Sequence, residues 1–294
     1  CLRWFAAALV LRCSPLSRAL YLWRNMETIT ITSWVDFERH LTRKHYRKWI
    51  FRGQSCFDWE LESSLSRAFI EADKIRNNGR PSRSSMSINK RNHEKVMIER
   101  FKSHAHLYLQ HLPPNDDELS WLSVMQHHGA PTRLLDFSFS PYIALYFALE
   151  SGDGDAALYC VNHDALAKED EEYFGQKKAI VHSRVMDGEE YNDDACLYAF
   201  EPCFSNQRLL SQQGLFVAVN NLEYTHEESL AGYKCKDGDL VKFKIPARLR
   251  YSGIRLLHRM NITTANIYPG LDGFCQSLKK QPVLGLDWQK RVGQ

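Results

Sequence analysis

The stretch Ser138–Ala148 constrains this chain more than any other part of it. Ser138 and Ser140 are helix-capping residue types, and Pro141 follows at a first helical position, where its missing N–H costs nothing. Ile143, Ala144, Leu145, Phe147 and Ala148 then supply core-type side chains, so a hydrophobic interior must be built around this helix. Just upstream, Gly129-Ala130-Pro131 reads as a turn.

Other elements follow from pattern and punctuation. Ser33 caps a short helix with Val35, Phe37 and Leu41 on or near one face. Trp49–Phe51 reads as a buried strand ending at Gly53, and a helix is expected from about His93 to Leu112, stopped by Pro113-Pro114. Ala156–Val161 and Gly214–Val219 read as strands, and Leu240–Ile245 alternates like an edge strand before Pro246. Helices are expected near 247–260 and 268–280. Residues 77–92 carry Arg80, Arg83, Lys90 and Arg91 with no acid and read as a mobile basic loop. Residues 164–194 carry ten acids and read as an acidic surface excursion. Strands and helices mix without a βαβ rhythm, which predicts an α+β fold. No linker divides residues 27–281, so a single mixed domain is expected there, with 282–294 as a C-terminal tail.

Composition removes several classes of function. No apolar run in the 294 residues approaches the roughly 20 that a transmembrane helix needs, so no membrane is expected. The net charge of +3 is local: Arg3, Arg12, Arg18 and Arg24 lie in an acid-free opening segment, and the rest of the chain sums to −1. Bulk charge therefore gives no reason to expect nucleic acid or an anionic surface. Residues 1–25 read as a non-native or targeting extension, with Met26 as the expected start. Eight scattered cysteines without a CxxC pair suit a reducing, cytoplasmic setting. Twelve histidines without HExxH give no sign of a metal.

Four islands carry a more specific signal. Phe51-Arg52-Gly53-Gln54 is followed by Trp59-Glu60-Leu61 and by Ser63–Arg67. The second island runs from Trp121 to Ala148 and contains Gln126-His127-His128-Gly129-Ala130-Pro131-Thr132-Arg133-Leu134-Leu135-Asp136-Phe137. The third is Asn206–Phe216, and the fourth is Ile267–Phe274. In this order, over roughly residues 30–278, the chain resembles the FRG domain, named for its Phe-Arg-Gly motif. Ser138-Phe139-Ser140-Pro141 and the helix after it are also similar to the middle motif of ADP-ribosyltransferases. That resemblance implies a split sheet with flanking helices and NAD as substrate. It also implies a transferase or NAD glycohydrolase of bacterial toxin or defence type. Arg52 would then hold the NAD ribose or phosphate. The third-motif acid is replaced within Gln212-Gln213-Gly214, with Gln213 in its place, and Asp136 or Glu223 would have to supply a carboxylate. The partner is a nucleotide, and the acceptor, protein or nucleic acid, stays open.

The chemistry sets what such a site requires. Breaking the nicotinamide–ribose bond builds oxocarbenium character on the sugar. A planar guanidinium such as Arg52 or Arg133 suits pyrophosphate, and a carboxylate or amide orients the ribose and answers the developing charge. The candidate catalytic residues are Arg52, Gln213, Asp136 and His128. The candidate cofactor-binding residues are Arg52, Gln54, Gln126, Thr132, Arg133, Ser138 and Ser140. Each has a structural alternative. Arg52 can tie strand ends through backbone carbonyls, and Arg133 can pair with Asp136. Gln126 and the two histidines can satisfy a turn, and the two serines can cap a helix. A different class of function, a non-enzymatic nucleotide- or nucleic-acid-sensing module, draws on the missing acid and the basic loop. A pure scaffold fits least well.

Overall fold

The computed structural model describes residues 26–76, 89–174, 196–203 and 206–279. In chain order the first half comprises β1 (Glu27–Thr30), α1 (Trp34–Leu41), β2 (Trp49–Gln54), α2 (Ser64–Arg76), α3 (Lys90–Ala105), α4 (Glu118–His127), β3 (Leu134–Ser138) and α5 (Pro141–Leu149). The second half comprises β4 (Ala156–Asn162), α6 (His163–Phe174), β5 (Leu197–Phe200), α7 (Gln207–Ser211), β6 (Gly214–Val219) and α8 (His226–Leu230). It ends with β7 (Leu240–Ile245), α9 (Arg250–Arg259), α10 (Thr264–Ile267) and α11 (Leu271–Leu278). All seven strands join one sheet in the order β1-β7-β4-β2-β3-β6-β5, parallel at β1–β7 and antiparallel elsewhere. The architecture is α+β.

The sheet is strongly laddered except at its centre. β2 pairs β4 through six consecutive positions, and β3 pairs β6 through five. Between β2 and β3 the register holds one rung, Phe51 against Ser138. Past it the two strands part, leaving a four-strand half and a three-strand half joined at a seam.

The core follows this division. On one face, Phe51, Leu158 and Phe243 pack with Phe37 of α1, Leu145 of α5 and Leu257 of α9. On the same face of the other half, Leu134 and Phe216 pack with Ile98 of α3, Leu122 and Met125 of α4, and Leu209 of α7. The opposite face is a single cluster across the seam, with Ile50, Tyr159, Phe137 and Val217 beneath Leu61, Leu166 and Leu230. Gly53 seats α5 on β2: a Cβ there would lie 1.8 Å from the Ala144 carbonyl oxygen and 2.6 Å from the Ala148 nitrogen. Only a residue without a side chain permits that approach.

Several expectations need correcting. Val35 is exposed, and α1 buries Phe37 and Leu41 instead. The second helix begins at Lys90 and ends at Ala105, before the prolines, so Lys90 and Arg91 belong to its first turn rather than to a loop. Residues 164–174 of the expected acidic excursion are helical, in α6. β7 is not an edge strand, because β1 covers it. Its buried Lys242 keeps an ammonium over the Phe57 and Tyr159 rings, at 4.5 and 4.8 Å, which is how a lysine-bearing strand sits inside a sheet. Cys160 and Cys196 are buried thiols, but Cys203 and Cys275 are exposed. The readings of 1–25, 77–88, 175–195 and 282–294 lie outside the described residues. Among the described residues no helix is long and apolar enough to cross a membrane.

Two outcomes are expected. Gly53→Ala forces a methyl group against the α5 main chain and should cost about 3 kcal/mol, the upper end of ordinary over-packing, read from urea unfolding. The second concerns His226, buried with Nε2–H donating to the Val217 carbonyl at 3.0 Å. Burial pushes this imidazole down to about 3. The unfolded chain takes up a proton below about pH 6.5 while the folded chain does not, so stability falls as pH drops from there toward 3. The limiting slope is about 1.4 kcal/mol per pH unit, and His226→Gln should flatten it.

Candidate functional site

Where β2 and β3 part, the seam opens into a cleft of about 810 Å³. Arg52 lies at its base. Its Nη1 donates to the Asp136 main-chain carbonyl at 2.6 Å, spanning strands that no longer pair. Burial pulls the guanidinium down from its ordinary value, opposed by the Asp136 carboxylate. A guanidinium is too strong a base to give up its proton under ordinary conditions, so Arg52 stays a cation.

Residues from all four sequence islands line this one cleft. Three guanidinium groups, Arg52, Arg67 and Arg208, face it. Arg67 donates to the Glu62 carbonyl at 2.6 Å, and Arg208 stacks on the Tyr268 ring at 4.9 Å. Among the described residues none of the three forms an ion pair. Five aromatic residues line it as well: Phe51 and Phe137, both buried in the core, and Trp59, Phe147 and Tyr268, with Trp59 57% exposed. Four carboxylates, Asp58, Glu60, Glu62 and Asp136, complete the polar lining together with the amides of Gln54 and Gln212 and the serines Ser55 and Ser138. The Glu60 carboxyl is pushed up by partial burial and by Glu227, Glu228 and Glu62.

Asp136 is held in place. Its Oδ2 accepts from Gln126 Nε2 at 3.0 Å, Gln126 Oε1 accepts from the Thr132 hydroxyl, and that hydroxyl accepts from the Leu134 N–H at 3.2 Å. Gln126 and Thr132 therefore position the carboxylate without lining the cleft. Thr132 is fully buried, and its main chain also bonds Ser64 and Leu65.

Other expected site residues fall elsewhere. Arg133 is 1% exposed and forms a bidentate ion pair with buried Glu94, while its Nη1 donates to the Val219 carbonyl at 3.0 Å. It neither pairs with Asp136 nor reaches the cleft. It buttresses α3 against β6. Ser140 caps α5, accepting from the Ile143 N–H at 3.3 Å. Ser138 lines the cleft, but its hydroxyl donates to the Gln212 carbonyl at 2.7 Å and accepts from the Ser140 N–H at 3.0 Å. Gln213 is an exposed turn residue at φ 44°, in the left-handed region that non-glycine residues seldom occupy. Its carbonyl accepts from the Phe139 N–H at 2.9 Å. That turn sends its neighbour, buried Gln212, into the cleft instead, where its amide donates to the Ile267 carbonyl at 3.2 Å. His128 is an exposed helix C-cap stacked edge-on against His127 at 4.9 Å, outside the cleft lining. Glu223 pairs with Lys90 at 3.1 Å, also away from the cleft.

Trp59, Glu60, Arg67, Arg208, Gln212 and Tyr268 were not among the expected site residues, although each lies inside one of the four islands. Among the described residues no cluster of three or more histidine, cysteine or carboxylate side chains is arranged to hold a metal.

Residues 47–156 match the family model described as FRG domain. The matched span carries the first two islands and runs from just before β2 to the start of β4. It is shorter than the stretch of roughly 30–278 over which the resemblance was read. No curated protein and no solved structure matches the chain.

The Arg133–Glu94 pair gives a direct test of a structural role. Arg133→Met or Glu94→Gln alone leaves one buried charge unanswered and should cost about 3–5 kcal/mol. The double replacement Arg133→Met with Glu94→Leu should cost distinctly less than the sum, by chemical denaturation.

Proposed function

We propose that the seam cleft binds a dinucleotide or nucleoside diphosphate of the NAD and ADP-ribose type. The observation that carries this reading is the convergence of three guanidinium groups, none of them ion-paired among the described residues, with the aromatic side chains of Trp59, Phe147 and Tyr268 in one cleft. Guanidinium groups suit the two phosphates, and aromatic faces suit planar bases. Carboxylates suit ribose hydroxyls, as acceptors of their O–H groups. In this reading Asp136, fixed by Gln126, is the carboxylate nearest in role to the acid that Gln212-Gln213-Gly214 lacks. It would orient the ribose and answer positive charge as the nicotinamide–ribose bond breaks, with water as acceptor giving ADP-ribose and free nicotinamide. The FRG match supports the framework around Arg52 and Asp136. The nucleotide assignment rests on the cleft lining alone.

Calorimetric titration with NAD and with ADP-ribose tests the binding. Arg208→Ala and Trp59→Ala should each weaken it, Arg208→Ala by about 1.5–3 kcal/mol for a lost charge-assisted contact. Both should leave Tm unchanged, because the Arg208 guanidinium rests on one ring and the Trp59 side chain is largely exposed. Nicotinamide release from NAD tests cleavage, and Asp136→Asn should slow it about a hundredfold. Absence of binding at millimolar ligand would remove the reading.

A further inference from the structure

Two buried polar atoms of residues that line the cleft have no partner among the described residues, and they are of opposite kinds. Gln54 is 8% exposed, and its Nε2 donates to the Glu60 carbonyl at 3.1 Å. That bond fixes which way the amide lies, since turning it over would set two oxygens against each other. Its Oε1 is therefore a committed acceptor, and it has no donor. Arg52, two residues earlier on the same face of β2, shows the converse: its Nη1 is engaged, but its buried Nε–H has no acceptor. Both residues line the cleft. Orphaned buried groups are few in folded proteins and costly to keep. A donor and an acceptor orphaned two residues apart on one face of a strand, on side chains that line a cleft of ligand size, describe a missing partner.

We infer that the base of the cleft reads a planar amide edge, the neighbouring C=O and N–H of a carboxamide or of a nucleobase lactam. The Arg52 Nε–H donates to the carbonyl oxygen, and Gln54 Oε1 accepts from the N–H. This rests on the nucleotide reading and names the end of the ligand that recognition by phosphate and stacking leaves open. It makes Gln54 a specificity-determining residue. A ligand with acceptors only would set an oxygen against Gln54 Oε1, and one without the group would leave both atoms dry and unpaired.

The wild-type protein decides the matter by calorimetry with five ligands: NAD, its nicotinic acid analogue, ADP-ribose, UDP and N3-methyl-UDP. The nicotinic acid analogue replaces the carboxamide with a carboxylate, and N3-methylation removes the lactam N–H. The member of either pair that lacks the N–H is expected to bind at least about tenfold more weakly than its parent. Discrimination within the NAD pair assigns the edge to the carboxamide, and discrimination within the UDP pair assigns it to a base. Gln54→Met should collapse whichever ratio the wild type shows. Equal affinities within both pairs, with ADP-ribose bound, would mean that water fills the position, and would overturn this inference while leaving the nucleotide reading intact. A full ratio retained in Gln54→Met would overturn it as well. Failure of ADP-ribose and the other ligands to bind would remove the nucleotide reading, and this inference with it.

Discussion

The hydrogen bond from Arg52 to the Asp136 carbonyl is the contact around which the rest of the molecule is arranged. A sheet normally holds neighbouring strands by a run of main-chain bonds. Here β2 and β3 share one rung, and a side chain from one reaches the main chain of the other just beyond it. The guanidinium does for the seam what further rungs would have done, and it does so without closing the space between the strands. A lysine has the charge and three N–H groups, but they sit on one freely turning nitrogen rather than in the fixed planar fork that ties the strands with one nitrogen and holds the others apart from it.

The other two residues of the Phe-Arg-Gly motif complete the device. Phe51 sits at the single rung and is buried in the core under α5. Gly53 lets that helix lie almost on the strand. With α5 pressed against β2, its Ala144 and Phe147 form part of the cleft lining. Across the seam, the turn at Gln212-Gln213 is tied to the end of β3 by the Ser138 hydroxyl and the Phe139 N–H, which carries Gln212 to the facing wall. The cleft is thus a consequence of how the two halves of the sheet are each braced.

Much of this was legible in the sequence, for identifiable reasons. Ser33, Ser140 and Pro141 act through local geometry, so their caps could be read from residue type alone. The strand Gly214–Val219 is continuous in apolar character and came out with its bounds intact. Arg52 was read both as a ligand of phosphate and as a tie between strand ends; the second is what its Nη1 does, and the first remains open to its other nitrogens. What could not be read depends on partners distant in the chain. Arg133 was misplaced because Glu94, its partner, lies 39 residues upstream, on α3. Gln213 and Gln212 exchanged places because a left-handed turn residue decides which of two adjacent amides faces inward, and neither glutamine's chemistry signals that. Lys242 gave β7 the look of an edge strand because the rings that cover it come from Phe57 and Tyr159.

The parted strands have one more effect. Beyond Phe51 on β2 and before Ser138 on β3, the main-chain amides and carbonyls of the two strands have no ladder partners across the seam, apart from the Asp136 carbonyl that Arg52 takes. Groups of this kind belong to the peptide backbone, and mutation of a side chain does not delete them. An occupant gripped partly by such groups is held by the course of the chain itself. Replacing the side chains that line the cleft therefore leaves the parting of the strands, and the main-chain groups beside it, in place.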